Sequence, residues 1–264
     1  MSLKRIIPVL LIKDGNLVRS SDFSDHRFVG DPFKQCERFN SWQIDEITYL
    51  DIDRERKISD GFRTDKRARR IREIGDIQRF VSQICQVPLA WGGNLRTESD
   101  AGRAIEVFGA DKVIFTSAVD SSPSAVSATA KRFGSQAICC GIDFRIIDGK
   151  PQVFVEAGRK LIRHSFEEWL TFCLELGAGE ILLHAIDRDG KKCGYDIEVL
   201  QVATGLTKVP IVVLGGAGNP NHMVDAVKNG ASGAAASNVW HFVDNFSEMI
   251  RENFVQSGIE IRQP

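Results

Sequence analysis

Short apolar runs alternate along the whole chain with longer segments in which apolar residues recur at helical spacing. The short runs are nearly continuous in apolar residues, which is typical of strands buried on both faces of a parallel sheet. A capping side chain before a proline predicts a helix start at Asp31-Pro32, Ser122-Pro123 and Asn219-Pro220. The pattern predicts strands at residues 6–12, 46–51, 88–92, 112–115, 137–143, 180–185, 211–215 and 233–236.

The two halves of the chain resemble each other. The segment from Glu46 to Glu55 is similar to the segment from Glu180 to Asp189, which lies 134 positions later, and three shorter similarities keep the same order. A repeat of this length is too long for a solenoid unit, so each copy is expected to form half of one closed domain.

Alternating strands and helices in a chain of 264 residues are typical of a TIM (β/α)8 barrel. We therefore predict a single barrel domain over residues 1–264, built from two similar half-barrels at about 1–133 and 134–264. A doubly wound open sheet is the alternative, but it does not account for the duplication. Residues 53–65 are charged and contain glycine, and they are predicted to form a long loop after the second strand.

Charge and hydropathy exclude several classes of partner. The net charge is −1 and the pI is about 6.5, so neither a nucleic acid nor a membrane surface is an expected partner. The first apolar run meets Lys13 and Asp14 without a small-residue cleavage site, so it is predicted to be a strand and not a signal peptide. The other runs are shorter than the roughly 20 residues that a transmembrane helix needs. We expect a cytoplasmic protein.

The cysteine and histidine positions give no sign of a metal centre. The six cysteines form no CxxC pair and most lie in apolar runs, so free thiols are expected. The five histidines show no ligand spacing with the cysteines or with each other. The sequence therefore indicates no metal and no organic cofactor.

A glycine-rich loop follows the seventh predicted strand, and a loop of small polar residues follows the eighth. Gly215 and Gly216 open the first loop. Ser237 and Asn238 form the second and are predicted to start the last helix. Glycines let backbone N–H groups approach an anion closely, and this end of a TIM barrel is a frequent phosphate site. We predict phosphate binding here; the alternative is that the glycines only permit tight turns.

The equivalent loops of the first half contain Gly92 and Gly93 after one strand, and Thr116 and Ser117 after the next. Asn94 stands in the place of the third glycine. A second anion site and plain turns remain alternatives at this position.

Acidic side chains lie where strands end, which is where TIM barrels carry out chemistry. Asp143 is predicted to end the fifth strand and to point into the mouth of the barrel, as a general acid or base or as a structural carboxylate. The corresponding position of the first strand is Leu11. His184, inside the sixth strand, is either a core residue or part of a pocket wall. Asp51, Asp187, Asp189 and Gly190 are further candidates for a substrate loop.

Four charged residues stand at the opposite rim, at the starts of strands one, two, four and six: Arg5, Glu46, Lys112 and Glu180. Two positive and two negative charges form either a salt-bridged lid that seals the barrel floor or a gate for a small molecule. The charges by themselves favour the lid.

Many motifs, in the same order along the chain, resemble HisF, the cyclase subunit of imidazole glycerol phosphate synthase. The similarity runs from about residue 4 to residue 262 and includes the segments Lys4 to Pro8, Lys13 to Gly15, Gly30 to Pro32, Phe133 to Gln136, Gly177 to Leu182, Ile186 to Gly190, Gly194 to Asp196 and Gly215 to Gly218. The resemblance implies a barrel of two half-barrels that binds a phosphorylated small molecule and uses ammonia from a HisH-like glutaminase docked at the floor.

The resemblance also assigns expected roles to single residues. It implies that Arg5, Glu46, Lys112 and Glu180 form an ammonia gate, which raises the gate interpretation above the plain lid. Asp111 matches a position that faces the glutaminase. Arg19 matches a lysine of the first loop, and Asp143 matches one of two catalytic aspartates.

This chain departs from the family pattern in its first half. Leu11 stands where the other catalytic aspartate is expected, and a leucine cannot transfer a proton. Asn94 replaces a glycine of the first phosphate loop, and His184-Ala185 replaces a Thr-Ser pair. The pattern resembles HisF-type paralogues that accompany surface-polysaccharide genes and take part in installing an acetamidino group on a nucleotide-linked sugar.

Three functions are compatible with these residues. We favour an ammonia-accepting synthase subunit of the acetamidino-sugar type. The alternatives are a cyclase of histidine biosynthesis, and a scaffold without catalysis that only channels ammonia or activates its partner.

Overall fold

The computed structural model describes residues 3–53, 71 and 73–262. Apart from Asp53, the loop predicted at 53–65 lies outside the described residues. In chain order the strands are β1 (Arg5–Lys13), β2 (Asn16–Ser21), β3 (Asp25–Gly30), β4 (Ile47–Asp51), β5 (Leu89–Gly92), β6 (Lys112–Phe115), β7 (Ile138–Ile147), β8 (Lys150–Val155), β9 (Lys160–Leu161), β10 (Glu180–Ala185), β11 (Ile211–Leu214) and β12 (Gly233–Ala236).

Eight of these strands close into a parallel barrel. Neighbours follow the order β1-β4-β5-β6-β7-β10-β11-β12, and β12 pairs with β1 to complete the ring. The eight strands correspond to the eight that the apolar runs predict, with ends shifted by a few residues. The protein is therefore a TIM (β/α)8 barrel, as predicted, and the open-sheet alternative is wrong.

Helices surround the barrel between successive strands. They are α1 (Pro32–Ser41), α2 (Ile74–Ile84), α3 (Glu98–Gly102, which continues as a π-helical turn), α4 (Ala118–Ser121), α5 (Pro123–Phe133), α6 (Phe166–Glu175), α7 (Ile197–Leu206), α8 (Pro220–Lys228) and α9 (Phe246–Gln256). Among the described residues, no helix has the length and apolar character that crossing a lipid bilayer would require.

The barrel strands bury side chains on both faces, which explains their continuous apolar runs. Alternate positions fill the barrel interior with a small cluster formed by Ile7, Val9, Ala90, Ile114, Cys139, Leu182, Val212, Leu214 and Ala235. The other face packs against the helices in a larger cluster that includes Tyr49, Trp91 and Trp240. Leu11 and Leu50 extend the interior cluster towards the mouth of the barrel.

Each half of the barrel carries a hairpin that extends its first strand. In the first half β1 turns at Asp14–Gly15 into β2, and in the second half β7 turns at Asp148–Gly149 into β8. All four turn residues have positive φ, between 47° and 72°, as a two-residue hairpin of this kind needs. The matching hairpins reinforce the similarity of the two halves.

The second hairpin corrects the predicted end of the fifth strand. The prediction ended this strand at Asp143, whereas β7 continues to Ile147 because its last residues pair with β8. Asp143 is paired with Phe154 within that hairpin.

Two of the three predicted helix caps are confirmed. Asp31 accepts hydrogen bonds from the backbone N–H groups of Phe33 and Lys34, and Asn219 accepts one from that of His222. Ser122 precedes α5 as predicted, but its side chain caps nothing. The reason is that Ser122 ends α4, and its own backbone N–H bonds to the carbonyl of Ala118.

The helix start predicted at Ser237 and Asn238 is a single 3-10 turn that ends at His241. The last helix, α9, begins only at Phe246. Asn245 adopts a left-handed conformation with φ of 57°, which a continuous helix cannot include.

Candidate functional site

A pocket opens at the mouth of the barrel, on the side of the second half. It brings together six residues predicted to bind substrate or phosphate with five others, and is lined by Asp189, Gly190, Lys192, Leu214, Gly215, Gly216, Ala217, Ala236, Ser237, Asn238 and Val239. The loops after β10, β11 and β12 all contribute, because the carboxyl ends of these parallel strands meet at one rim.

Gly215 and Gly216 let the backbone pass close to neighbouring loops. Their φ values are 98° and 92°, in the left-handed region that favours glycine. A Cβ atom on Gly216 would lie 2.1 Å from the carbonyl oxygen of Gly194, and one on Gly215 would lie 2.4 Å from that of Ala185. The glycines therefore permit the tight loop packing at this edge of the pocket.

The hydroxyl of Ser237 lacks a partner. Its Oγ atom is buried and forms no hydrogen bond with the part of the chain that the structure describes. A buried polar group without a partner costs about 1–3 kcal/mol, so an anion oxygen in this pocket would relieve that cost. Lys192, on the pocket wall, contributes a positive charge.

The β2–β3 hairpin lies over this pocket. Asn238 donates a hydrogen bond from Nδ2 to the carbonyl of Ser20 at 2.5 Å, and its Oδ1 accepts one from the N–H of Ser20 at 3.3 Å. The carboxylate of Asp189 accepts a hydrogen bond from the N–H of Phe23 at 3.0 Å. Arg19, on β2, holds its guanidinium 5.6 Å from the ring centre of Phe242. The hairpin thus carries Arg19 to the edge of the site.

Asp143 and His184 meet at the mouth of the barrel interior. They are register partners on β7 and β10, and the distance from His184 Nδ1 to Asp143 Oδ1 is 3.1 Å. Both residues are 8% exposed. The ring of Phe23 packs edge-on against the imidazole, with 5.1 Å between ring centroids. On the opposite side of the barrel, β1 presents Leu11, which packs with the apolar interior.

At the mouth of the first half, Asn94 is hydrogen-bonded to neighbouring residues. Asn94, with φ of 52°, donates hydrogen bonds to Asp51 Oδ2 at 2.9 Å and to the carbonyl of Asp53 at 2.5 Å. Gly93 approaches so closely that a Cβ atom would lie 1.9 Å from the carbonyl oxygen of Asp51. The predicted residues Gly92, Gly93 and Asp51 are therefore neighbours in space.

The next loop of the first half is also engaged. Ser117 accepts a hydrogen bond at its hydroxyl oxygen from the N–H of Glu156, at 2.9 Å. Thr116 lies against Gly141, where a Cβ atom would come within 2.5 Å of the threonine hydroxyl oxygen. Both predicted residues thus contact the second half of the barrel.

The described residues of the first-half mouth include two neighbouring aspartates, Asp51 and Asp53. Burial raises the pKa of Asp53 to about 6, and the nearby charges of Asp51 and Asp14 add to this effect. Asp53 Oδ2 accepts the N–H of Asp14 at 2.8 Å, which opposes the rise. Negative charge beside Asn94 disfavours an anion at this loop.

The four charges at the barrel floor form a closed ring. Arg5 bonds Glu46 at 2.6 Å and also bonds Glu180, while Lys112 lies 3.2 Å from Glu46 and 2.6 Å from Glu180. The side chains of Glu46 and Glu180 are 6% and 8% exposed, so each carboxylate is almost buried between the two cations. The predicted ring therefore exists as an alternating ion-pair network.

The carboxylates of the ring stabilise the charged forms of Lys112 and Arg5. Burial lowers the pKa of Lys112, but attraction to Glu46 and Glu180 outweighs it, so the pKa is raised. The same balance raises the pKa of Arg5. Asp111, next to Lys112, is exposed and accepts a hydrogen bond from the N–H of Leu89 at 2.8 Å.

The residues described in the structure contain no group of three or more histidine, cysteine, aspartate or glutamate side chains arranged to hold a metal ion. The six cysteines are all unpaired.

Sequence reasoning missed three features of this site. It did not find the bond between His184 and Asp143, the position of Lys192, or the hairpin with Phe23. Two signals were present. Alternate residues share a strand face, so residues 180, 182 and 184 belong to the interior. The dipeptide Asp14-Gly15 after an apolar run is typical of a hairpin turn.

Comparison with known proteins extends the resemblance over nearly the whole chain. The family described as "Histidine biosynthesis protein" matches residues 5–244. The chain is 34% identical over 262 residues to the imidazole glycerol phosphate synthase subunit HisF of Thermotoga sp., covering 99% of this chain and 98% of the relative. The protein of that name from Caulobacter vibrioides is 35% identical over 261 residues, covering 98% and 95%. That from Metallosphaera sedula is 34% identical over 263 residues, covering 99% and 100%.

Proposed function

This chain belongs to the histidine biosynthesis protein family, and we propose that it is a HisF-like, ammonia-accepting synthase subunit that pairs with a glutaminase. The observation that carries the proposal is the closed ring of Arg5, Glu46, Lys112 and Glu180 at the floor, at the opposite end of the barrel from the pocket at the mouth. The ring is the gate for ammonia, and Asp111 beside it faces the glutaminase.

The mouth supplies the chemistry. A phosphate of the substrate binds between Gly215, Gly216 and Ser237, which line the pocket, and the Ser237 hydroxyl has no hydrogen-bond partner among the described residues. Asp143, at the top of the interior, serves proton transfer when ammonia reaches the substrate. Leu11 supplies no such group.

The acceptor in our proposal is a nucleotide-linked sugar that receives an acetamidino group. Asn94 fills the first-half loop and its neighbours Asp51 and Asp53 are acidic, so this side suits hydroxyl groups better than a second phosphate. An acceptor with an anion at one end and a neutral, hydroxyl-bearing group at the other fits the two sides of this mouth.

A cyclase of histidine biosynthesis is the second candidate. Its support is the identity of 34–35% over nearly the full length to proteins named as subunits of imidazole glycerol phosphate synthase. In that case Asp143 must serve both proton transfers, with help from groups other than Leu11.

The first test is whether the purified chain binds a HisH-like glutaminase and raises its rate of glutamine hydrolysis. Binding with stimulation supports the proposal, and the absence of both rejects it. Asp111→Lys, which reverses an exposed charge at the floor, is expected to weaken the complex. The exposed mouth residue Lys150 provides the matched control, because Lys150→Asp leaves the floor unchanged.

The second test separates the acceptors. Ammonium-driven turnover of the phosphoribulosyl-formimino substrate of the histidine pathway is measured for the chain and for Leu11→Asp. Turnover by the unmodified chain favours the cyclase. Turnover only by the variant, or by neither protein, favours another acceptor. A complex whose output is unchanged by Asp143→Asn would instead be a channelling scaffold.

A further inference from the structure

The pair formed by His184 and Asp143 belongs neither to the charge ring at the floor nor to the loops predicted to bind phosphate. The two residues are register partners on adjacent parallel strands, and their side chains meet at 3.1 Å between Nδ1 and Oδ1. Each is 8% exposed, so the bond is shielded from water without being cut off from the mouth.

This bond fixes the chemistry of the imidazole. A carboxylate accepts the proton of Nδ1, which leaves Nε2 as the basic nitrogen on the far side of the ring. No residue in the described ranges 3–53, 71 and 73–262 hydrogen-bonds Nε2. Phe23 packs against the ring edge-on and restricts its rotation. A histidine kept only for packing would be expected to satisfy both nitrogens.

The imidazole also lies beside the phosphate pocket. His184 is the register partner of Leu214 on β11, and Leu214 lines that pocket together with Gly215. His184 is therefore one strand away from the residues that would anchor a phosphate at Gly215 and Ser237. On the opposite side of the barrel, Leu11 offers only hydrocarbon.

We infer that His184 is a catalytic general base and acid of this chain, oriented by Asp143, and that it supplies the proton transfer that Leu11 cannot. The inference rests on the proposed function, in which ammonia attacks a carbonyl carbon of a phosphorylated acceptor. Asp143 then acts through the imidazole as well as by its own charge.

The reaction balances without a further reagent. Ammonia forms a C–N bond and the π electrons of the carbonyl move to its oxygen. Nε2 of neutral His184 takes a proton from the nitrogen and donates it to the oxygen. A second transfer along the same route releases the oxygen as water and leaves a C=N bond.

The first experiment measures ammonium-driven turnover of the histidine-pathway substrate by the chain and by His184→Asn. Asparagine keeps an N–H that can donate to Asp143 but removes Nε2, so the fold is preserved while the base is lost. If the chain turns over this substrate, we expect kcat to fall by about 10²–10⁴ in His184→Asn with little change in KM, and free imidazole to restore part of the rate to His184→Ala. His164→Asn, at an exposed histidine, is the matched control. An unchanged kcat in His184→Asn would overturn the inference.

If the chain does not turn over that substrate, labelling with a phosphate-bearing alkylating agent tests whether His184 is the basic group. Bromohydroxyacetone phosphate has a carbon that a basic Nε2 attacks, forming a C–N bond as bromide leaves. We expect mass spectrometry to find the label on His184, inorganic phosphate to protect it, and Asp143→Asn to slow the labelling. Protection with the label on another residue overturns the inference but leaves the proposed function in place.

The proposed function fails separately. If the chain neither binds nor stimulates the glutaminase, the ammonia role is rejected whatever reacts with the label. If the label reaches no residue while the variants remain folded by circular dichroism, the catalytic role of His184 is rejected.

Discussion

At the scale of single residues, the environment of Asp53 at the first-half mouth disfavours its charged form. Burial raises the pKa of Asp53 to about 6, although it accepts a hydrogen bond from the N–H of Asp14. Its folded pKa therefore lies above its value in the unfolded chain, and the folded state binds the proton more tightly. Stability contributed by the neutral form is complete at low pH and is lost as the pH rises through about 6.

Asp53→Asn is expected to stabilise the protein at pH 7.5 and to have little effect at pH 4. A shift of this size corresponds to at most about 3 kcal/mol, and partial exposure reduces the expected gain to roughly 1–2 kcal/mol. Urea unfolding of both proteins at the two pH values measures the difference. A gain that is equal at pH 4 and pH 7.5 would contradict the prediction.

The phosphate pocket depends on backbone conformations that only glycine adopts easily. Gly216→Ala places a methyl group 2.1 Å from the carbonyl oxygen of Gly194 at a φ of 92°. We expect the free energy of unfolding to fall by about 2–4 kcal/mol and affinity for inorganic phosphate to be lost. Gly205→Ala is the matched control, because among the described residues no atom beyond its chain neighbours and its own helix backbone lies within 4 Å of the added methyl group. It is expected to raise stability by about 0.5–1 kcal/mol, since alanine favours the helix.

At the scale of elements, the helices differ in how their first turns are satisfied. α1 begins after Asp31, whose carboxylate accepts two backbone N–H groups at 2.8 and 3.0 Å. α5 begins after Ser122, which has the same sequence signal but makes no capping bond. A capping residue followed by proline therefore supplies side-chain hydrogen bonds to the first turn of α1 but not to that of α5.

Asp31→Ala is expected to lower the free energy of unfolding by about 0.5–2 kcal/mol, because two N–H groups lose their acceptor. Ser122→Ala is expected to change it by less than about 0.5 kcal/mol. Thermal and urea unfolding of the two variants side by side checks both values. An equal loss in both would mean that the prolines, and not the caps, decide where these helices begin.

At the scale of the whole molecule, the barrel has two distinct ends. The floor carries an alternating ring of charges, and the mouth carries the pocket at Gly215 and Ser237 and the pair of Asp143 and His184. The interior between them is lined by aliphatic side chains and Cys139. Our proposal that ammonia passes from floor to mouth assigns a role to each end.

Lys112→Met leaves two nearly buried carboxylates facing the single charge of Arg5. We expect a loss of roughly 2–4 kcal/mol in the free energy of unfolding, since breaking a buried ion pair exposes the remaining charge to a low-dielectric interior. In the complex, glutamine-driven output is expected to change while output from added ammonium persists. Lys112→Arg, which keeps the charge, and Lys208→Met, at an exposed lysine, are the controls. Stability equal to that of Lys208→Met would contradict the prediction.

The sequence determined the barrel and most of its rim. Eight continuous apolar runs separated by helical segments specify strands that must be buried on both faces, and the duplication favours closure over an open sheet. Because the ends of parallel strands share one rim, the sequence alone assigns the loops at Gly215 and Ser237 to one site. The charges of the floor followed from the same reasoning.

Only the tertiary structure decided how these residues meet. The bond between His184 and Asp143 requires the register of β7 and β10, and the apolar runs fix that register only to within a few residues. The two hairpins depend on pairing with distant segments, which is why β7 passes Asp143 where the local pattern ends the strand. The capping bond that Ser122 lacks, and the side chain of Asn94 turned onto Asp51, are set by neighbours far away in the sequence. Local sequence fixes burial and periodicity, whereas pairing between distant groups is fixed only when the barrel closes.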